Sequence, residues 1–419
     1  MSKEYVSGLA KEAKAASRIL SRAPTNGKNK AISIMAQKLE ENKNEIREAN
    51  QQDGHLAKAG GLEQSLVDRL KFGESKIASR IKALREIILL TDPIGAPDSV
   101  IKRPNGLEVK RVRVPIGVIG MIYESRPHVT INAGALCLKS GNAVLLRGGS
   151  ETINTNIFLG RLWQEALKEA GLPKASIQVV ETTDHEDVWR MLELDEYIDL
   201  VIPRGGKRLI KAVRETSRIP VIKHYEGICH IFVDSSANLD MAIKISLDSK
   251  ILMPEVCNAM ETLLVDEQIA GDLLPSLGKE MKAAGVTLRG CKAAREIIPW
   301  AEEATEQDWV TEYLDMILSV RVVSGIGEAI EHIDSYGSHH TDAIVSENFT
   351  NIRKFETGVD SAVVLVNAST MFCDGGELGM GAEIGISTDK IHARGPVGLR
   401  DLTSYKYVVT GTGHVMEEV

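Results

Sequence analysis

Apolar positions recur at three- and four-residue spacing from Leu9 to Leu20, from Ile32 to Ile46 and from Ile77 to Leu90, so the first hundred residues read as covering helices. Between Val100 and Val114 the pattern changes to alternation, IKRPNGLEVKRVRV, with Asn105–Gly106 as the turn signal of a hairpin. A two-stranded ribbon of this kind is not stable alone and needs another sheet or another subunit. From Pro115 a strand–helix–strand rhythm sets in. IGVIGMIYES reads as a buried strand, AGALCLKSGN as a helix and AVLLRGGSE as the next strand. A helix over 152–170 follows, then GLPKASIQVV as turn and strand, a helix over 186–194, the strand DLVIP, a helix opened by PRGGKRLIKAV, and the strand IPVIKHY. The alternation predicts a parallel, doubly wound sheet whose ligands bind at the carboxyl ends of its strands.

A second cycle begins after Gly227 with the strand CHIFVD, a helix from Leu239, a cysteine-bearing segment, the strand ETLLVD, a helix to Ala284 and the strand VTLRG. This predicts a second α/β domain. The glycine-dense stretch GGELGMGAEIGI reads as too flexible for a core strand, whereas LTSYKYVVTGTG alternates again and can pair with the early ribbon. The expected organisation is a dinucleotide-binding domain over 1–99 and 114–226, a catalytic domain over 227–400 whose last part can return to the first, and a flap over 100–113 and 401–419.

Composition narrows the function classes. The chain has 419 residues, 43% hydrophobic and 26% charged, which suits two or three globular domains with a large core. A formal charge of -8 argues against a nucleic-acid partner, and the basic stretch from Lys102 to Arg113 is interrupted by apolar residues as in an exposed ribbon. No apolar run is long enough to span a bilayer, and MSKEYVSGLAKEAKAAS lacks a signal peptide's apolar core, so a cytoplasmic protein is expected. Five scattered cysteines without a CxxC pair suit a reducing compartment and neither a disulfide frame nor a zinc site. The pair His339–His340 lacks further ligands for a metal, and Trp163, Trp189, Trp300 and Trp309 read as packing residues.

The segment MPEVCNAMETLLV, residues 253–265, carries the sharpest chemical signal. It sets Cys257 between a proline-led turn and an apolar strand, where a cleft can lower the thiol's pKa and make it a nucleophile. The same residue also reads as a buried core cysteine. Asn258 offers an amide, and its backbone N–H is placed to meet an oxyanion on a group held by the preceding sulfur. Two further turns, RGGSE at 147–151 and PRGGK at 203–207, each follow a buried strand and precede a helix. Arg147, Gly148, Gly149 and Ser150, with Pro203, Arg204, Gly205 and Gly206, are therefore candidates for cradling a dinucleotide's phosphates. Neither turn is a GxGxxG or P-loop fingerprint, and each also reads as a plain tight turn. Arg147 and Ser150 would favour a phosphorylated ribose, and Glu151 a bare one.

The order of VPIGVIGMIYESRP, GNAVLLRGGSE, GLPKASIQVV, the Cys257 segment, TEYLDMILSVRVV and GLRDLTSYKYVV resembles the aldehyde dehydrogenase superfamily over nearly the whole chain. More narrowly, MPEVCNAMETLLV, AIEHIDSYGSHHTDAI and EIGISTDKIHARGPVGL resemble its acyl-phosphate-reducing branch. The resemblance implies an aldehyde-dehydrogenase-like fold with a β-hairpin oligomerisation flap, hence a homo-oligomer. It implies NADPH-dependent reduction of L-glutamyl 5-phosphate to L-glutamate 5-semialdehyde through a Cys257 thioester, the second step of proline biosynthesis from glutamate, with a glutamate 5-kinase as pathway partner. Glu312 takes the position of the superfamily's ribose-binding glutamate. Arg126, His340 and Arg394 are candidates for the substrate's carboxylate and phosphate, which need donors.

Two departures bear on the chemistry. Oxidising members carry an oxyanion-binding asparagine where this chain has Ser125, and a water-activating glutamate in the region that here reads KHYEGICHIF, where neither His224 nor Glu226 takes its place. A reductase must hand its thioester to hydride before water arrives, so losing the base has a chemical logic. Three readings follow: a nicotinamide-dependent acyl-phosphate reductase, an oxidising aldehyde dehydrogenase of the same fold, and a non-enzymatic interaction protein. Ser125 and the missing base weigh against the second, and Cys257, Glu312 and the glycine turns against the third.

Overall fold

The structure, a computed structural model of the full chain, describes residues 3–62, 64, 67, 70–223 and 226–416. The chain packs as two units, one of residues 1–223, 379–385 and 397–419, the other of residues 224–378 and 386–396.

The first unit opens with helices α1 (Lys3–Leu20), α2 (Thr25–Glu41), α3 (Lys43–Ala59) and α4 (Glu74–Leu89). The apolar run from Ile32 to Ile46, expected as one helix, is two. Asn42 ends the first by donating both its backbone N–H and its amide to the Lys38 carbonyl, at 3.0 and 2.8 Å, a side-chain competition that asparagine is built for. Strands β1 (Pro97–Lys102) and β2 (Glu108–Pro115) form the antiparallel ribbon. There follow β3 (Val118–Tyr123), α5 (His128–Lys139), β4 (Ala143–Gly148), α6 (Ile153–Glu169), β5 (Ile177–Val179), α7 (His185–Leu192), β6 (Leu200–Arg204) and α8 (Lys207–Thr216). The sheet runs β5-β4-β3-β6 with every pairing parallel, so the order reverses between β3 and β6. IPVIKHY does not add the expected strand: Val221 makes one bridge to Val201, and His224 and Tyr225 lie outside the described residues.

The second unit holds β7 (Cys229–Val233), α9 (Leu239–Ile251), β8 (Met260–Asp266), α10 (Glu267–Ala283), β9 (Thr287–Gly290), α11 (Lys292–Ile297), β10 (Glu302–Glu303) and α12 (Glu306–Trp309). It continues with β11 (Ile317–Val323), α13 (Ile326–Tyr336), β12 (Thr341–Val345), α14 (Phe349–Gly358) and β13 (Val363–Val366). Its parallel sheet has the order β10-β9-β11-β8-β7-β12-β13. Alternation along each strand makes both faces apolar. Ile231, Val233, Leu263, Val265, Ala343 and Val345 pack with α9 and α10, while Phe232, Leu264 and Ile344 pack with α13 and α14. Each such side chain contributes about 1.5–3 kcal/mol by leaving water.

The chain passes between the units along β14 (Glu383–Ser387) and β15 (Gly395–Gly398). The expectation that EIGI would not form a strand fails here: Ile384 and Ile386 are buried in β14. Finally β16 (Thr403–Thr410) pairs antiparallel with β2, from Thr403 opposite Pro115 to Thr410 opposite Glu108. The ribbon and the tail thus form one three-stranded sheet, as their shared alternation implies.

Candidate active site

Cys257 lies in the turn between α9 and β8, where the Val256 N–H donates to Met253 O and the Ala259 N–H to Val256 O. It is half-buried, whereas Cys137, Cys229 and Cys373 are buried. Burial pushes the Cys137 and Cys229 thiols well above the ordinary thiol range, which removes both as nucleophiles near neutral pH.

Two residues at the head of β7 fix the Cys257 backbone. The Cys229 thiol donates to the Cys257 carbonyl at 3.2 Å. Gly227 lies so close that a Cβ there would stand 1.7 Å from the same oxygen and 2.8 Å from the Cys257 Cα. No side chain fits that approach. The Gly227 N–H donates to Glu312 Oε1 at 2.8 Å, so one glycine joins the two strongest candidate residues of this unit.

Glu312 is followed by two anchored residues. Tyr313 donates its hydroxyl to Asp308 at 2.8 Å, and Asp308 also accepts from Arg289 and, in a capping box on α12, from the Thr305 N–H and hydroxyl. Burial raises the Asp308 carboxyl, but these donors outweigh it and hold it down at about 2. The Leu314 N–H donates to Glu261 Oε1 at 3.0 Å, with Leu314 at a left-handed φ of 53°. Glu261 in β8 and Lys250 in α9 form a fully buried ion pair at 2.7 Å between the two elements that flank the Cys257 turn. Burial raises the Glu261 carboxyl to about 7 and lowers the Lys250 ammonium, the expected signs for charges taken out of water. Beside Gly227 opens a cavity of about 350 Å³, lined by Glu226, Ile228, Val310, Tyr336, Ser338 and Thr388 among others, a size that admits a small molecule.

Cys257, Glu312 and Gly227 all sit before their strands, at the amino edge of the sheet.

Other candidates are committed elsewhere. The Asn258 amide donates to the carbonyls of Thr370 and Met371, leaving its backbone N–H as the group suited to an oxyanion. His340 is fully buried, with Nδ1 2.9 Å from Thr341 Oγ1 and 3.7 Å from Cys229 Sγ, so it buttresses Cys229 and does not face solvent. Arg394 clamps Asp360 through its carboxylate and its carbonyl, both at 2.7 Å, so its guanidinium is a structural strut. Among the described residues no group of three His, Cys, Asp or Glu side chains could hold a metal ion.

In the first unit the candidate turns lie at carboxyl ends of strands. Arg147 is buried and donates to the carbonyls of Gly148, Thr183 and Asp184, not outward, so it is a poor reader of a ribose phosphate; Ser150 beside it is exposed. Gly149 leaves room for the Glu151 carboxylate, which a Cβ would approach to 2.2 Å. That carboxylate accepts both the N–H and the hydroxyl of Ser125, at 2.6 and 2.7 Å. Ser125 sits at a left-handed φ of 44°, a conformation costing about 1–3 kcal/mol that these bonds offset. Its one hydroxyl proton is thereby directed away from the oxyanion role. At the second turn Pro203 and Arg204 end β6, and the Gly206 N–H at the start of α8 donates to Glu124 at 2.8 Å. Arg126 is half-buried.

Gly227, Cys229, Lys250 and Glu261 were not singled out by sequence reasoning. The last two carried a signal, being charges inside apolar runs.

A strand–Gly-Gly–helix unit beside a second parallel-sheet unit with a cysteine turn defines an aldehyde dehydrogenase type of architecture. The aldehyde dehydrogenase family model matches residues 1–314, and the chain belongs to that family. The particular member it is similar to is gamma-glutamyl phosphate reductase. The proteins of that name from Caldanaerobacter subterraneus subsp. tengcongensis and Thermoanaerobacter pseudethanolicus are 53% and 52% identical, each over 97% of this chain and 98% of its own. The crystal structure of gamma-glutamyl phosphate reductase from Thermotoga maritima matches with a TM-score of 0.96 at 49% identity, over 98% of this chain and 100% of that one. An acetylating aldehyde dehydrogenase from Geobacillus thermoglucosidasius, 20% identical over 99% and 98% of the two chains, shares the fold with a TM-score of 0.71.

Proposed function

We propose that the protein reduces L-glutamyl 5-phosphate to L-glutamate 5-semialdehyde and phosphate, the second step of proline biosynthesis from glutamate. The observation that carries this is a half-exposed Cys257 on a clamped turn, in a chain 53% identical to gamma-glutamyl phosphate reductase over nearly its full length. The Cys257 thiolate attacks the acyl carbon, forming a C–S bond as the C–O bond to phosphate breaks. The Asn258 N–H is the candidate donor to the oxyanion. A reduced nicotinamide supplies the hydride that converts the thioester to a thiohemiacetal, whose collapse returns thiolate and aldehyde.

Whether such a cofactor fits can be judged from the donor set. Gly148, Gly149 and Ser150, and Gly205 and Gly206, lead from the ends of parallel strands into helices, as a diphosphate requires, and the Glu312 carboxylate is a suitable acceptor for ribose hydroxyls. These residues would hold NADPH in our reading, with Ser150 on the ribose side. Glu312, anchored through Gly227, Tyr313 and Leu314, would present its carboxylate to a ribose hydroxyl. The exposed β16 edge, carrying Tyr405, Tyr407 and Val409, would pair with a second copy. The protein would work in the cytoplasm beside a kinase that makes its acyl phosphate.

The test runs the reaction in reverse, following cofactor reduction by glutamate 5-semialdehyde with and without phosphate. Phosphate must lift the acyl group off sulfur, so oxidation should depend on it; phosphate-independent oxidation would overturn the reading. Cys257→Ala should abolish turnover, while Cys291→Ala should leave most of it.

A further inference from the structure

The carbonyl of Cys257 and the N–H of Asn258 belong to one planar trans peptide group, so whatever holds the oxygen also aims the N–H, which points the opposite way. That oxygen is boxed in. The Cys229 thiol donates to it at 3.2 Å, and Gly227 packs so close that a Cβ there would stand 1.7 Å away. The next residue is tied as well, because the Asn258 amide donates to the carbonyls of Thr370 and Met371 at 3.1 and 3.3 Å. The Asn258 N–H itself has no acceptor among the described residues. Cys229 opens β7, and the pairing of β7 with β8 shifts register between Cys229 and His230, as bulges that re-aim a side chain do. The thiol is fully buried, and burial holds its pKa well above the ordinary thiol range, so it keeps the proton that it donates. His340 Nδ1 lies 3.7 Å from the same sulfur, farther than the Cys257 oxygen. A buried cysteine ordinarily only fills space. This one directs its single proton at the peptide that follows the proposed nucleophile.

We propose that Cys229 is a positioning residue for the oxyanion: its S–H holds the Cys257–Asn258 peptide so that the Asn258 N–H faces the oxygen of an acyl group bonded to Cys257 Sγ. Accepting the thiol proton also polarises the peptide, which strengthens its N–H as a donor. The inference rests on the proposed function for its nucleophile and its oxyanion donor.

Two reactions of the full-length protein without cofactor separate this role from packing. In acyl transfer from p-nitrophenyl acetate, the Cys257 thiolate adds to the carbonyl carbon, an oxyanion forms, and its collapse expels p-nitrophenolate and leaves the acetyl thioester. In alkylation by iodoacetamide the same thiolate displaces iodide and no oxyanion forms. Removing an oxyanion donor outright costs about 100- to 1,000-fold, so misaiming it in Cys229→Ala should slow acyl transfer to Cys257 about tenfold or more, with alkylation within twofold of wild type. Cys229→Ser, which keeps a proton donor, should recover most of the loss. Should Cys229→Ala fail to fold, Cys229→Val, which fills the site without a donor, should show the same split. Phosphate-dependent oxidation of glutamate 5-semialdehyde tests the function separately: its kcat should fall along with acyl transfer, whereas a wild-type protein that takes acetyl on Cys257 but shows no such oxidation would overturn the assigned reaction and leave the positioning role standing. A folded Cys229→Ala or Cys229→Val protein whose acyl transfer stays within twofold of wild type, or falls only in step with alkylation, would overturn the proposal, as would a wild-type Cys257 that alkylates but takes no acetyl.

Discussion

Gly227→Ala is the smallest change that reaches the proposed nucleophile, Cys257, without touching it. The added methyl would lie 1.7 Å from the Cys257 oxygen, 2.5 Å from its carbonyl carbon and 2.8 Å from its Cα, where ordinary contact begins at 3.4 Å. The obstacle is backbone, so no rotamer change relieves it, and the two segments must part by more than an ångström. Overpacking of this kind costs about 1–3 kcal/mol, within the 5–15 kcal/mol of a typical domain, so the protein should remain folded with a lower melting temperature. The shift also stretches the 2.8 Å bond from the Gly227 N–H to Glu312. Misplacing a catalytic group by about 1 Å can cost about 100-fold, so kcat of the phosphate-dependent reverse reaction should fall by about that factor or more. The labelling rate of Cys257 by a thiol reagent should change with it. Gly271→Ala is the control, an exposed position inside α10 with nothing within 4 Å of the new Cβ; it should leave kcat alone and stabilise by up to about 1 kcal/mol. A folded Gly227→Ala enzyme within threefold of wild-type kcat would refute the clamp.

Lys250→Met should destabilise the fold by about 3–5 kcal/mol in urea unfolding, because it leaves Glu261 buried without its cation, and adding Glu261→Leu should recover much of that stability but not kcat, since the Leu314 tether is gone. Burial raises the Glu261 carboxyl to about 7 even with Lys250 beside it, and losing that cation raises it further, so the stability lost in Lys250→Met should be smallest at the acid end and grow as pH rises above about 7. Ending the chain after Leu402 removes β16 but keeps the Asn142 hydrogen bond to the Leu402 carbonyl, so the first unit should fold while sedimentation shows monomers or aggregates; a fully assembled truncated protein would exclude the β16 edge as the subunit contact.

Local patterning carried the elements because local physics makes them. The alternation of 100–114 and of the tail reappears as β1, β2 and β16 in one sheet, and the strand–helix rhythm as two parallel sheets. It failed where a distant partner decides. EIGIS looked too rich in glycine for a strand, yet Gly385 is the residue that admits the Arg204 guanidinium, 181 positions away in the sequence, with Ile384 and Ile386 buried on either side. IPVIKHY looked like a strand because of its apolar run, but a proline precedes Val221 and cannot donate to a ladder, so pairing stops at one bridge.

The site divides in the same way. Cys257 stands out as a candidate because a turn, a small polar neighbour and a strand follow one another in thirteen residues. What surrounds it was not, because a cation's availability depends on its counter-ion: Arg394 is spent on Asp360, and Arg147 on carbonyls of its own and the next crossover. The first unit's candidate turns sit at carboxyl ends of parallel strands, whereas the second unit's cysteine sits at an amino edge. The difference is chemical. A dinucleotide is held by helix starts that follow strand ends, whereas a thiolate attacking a carbonyl needs a fixed backbone turn with an N–H beside it. Here that turn is held from outside by Gly227 and Cys229 arriving at the head of β7, and Gly227 is itself tied to Glu312, so the arrangement belongs to three chain segments that only the fold brings together.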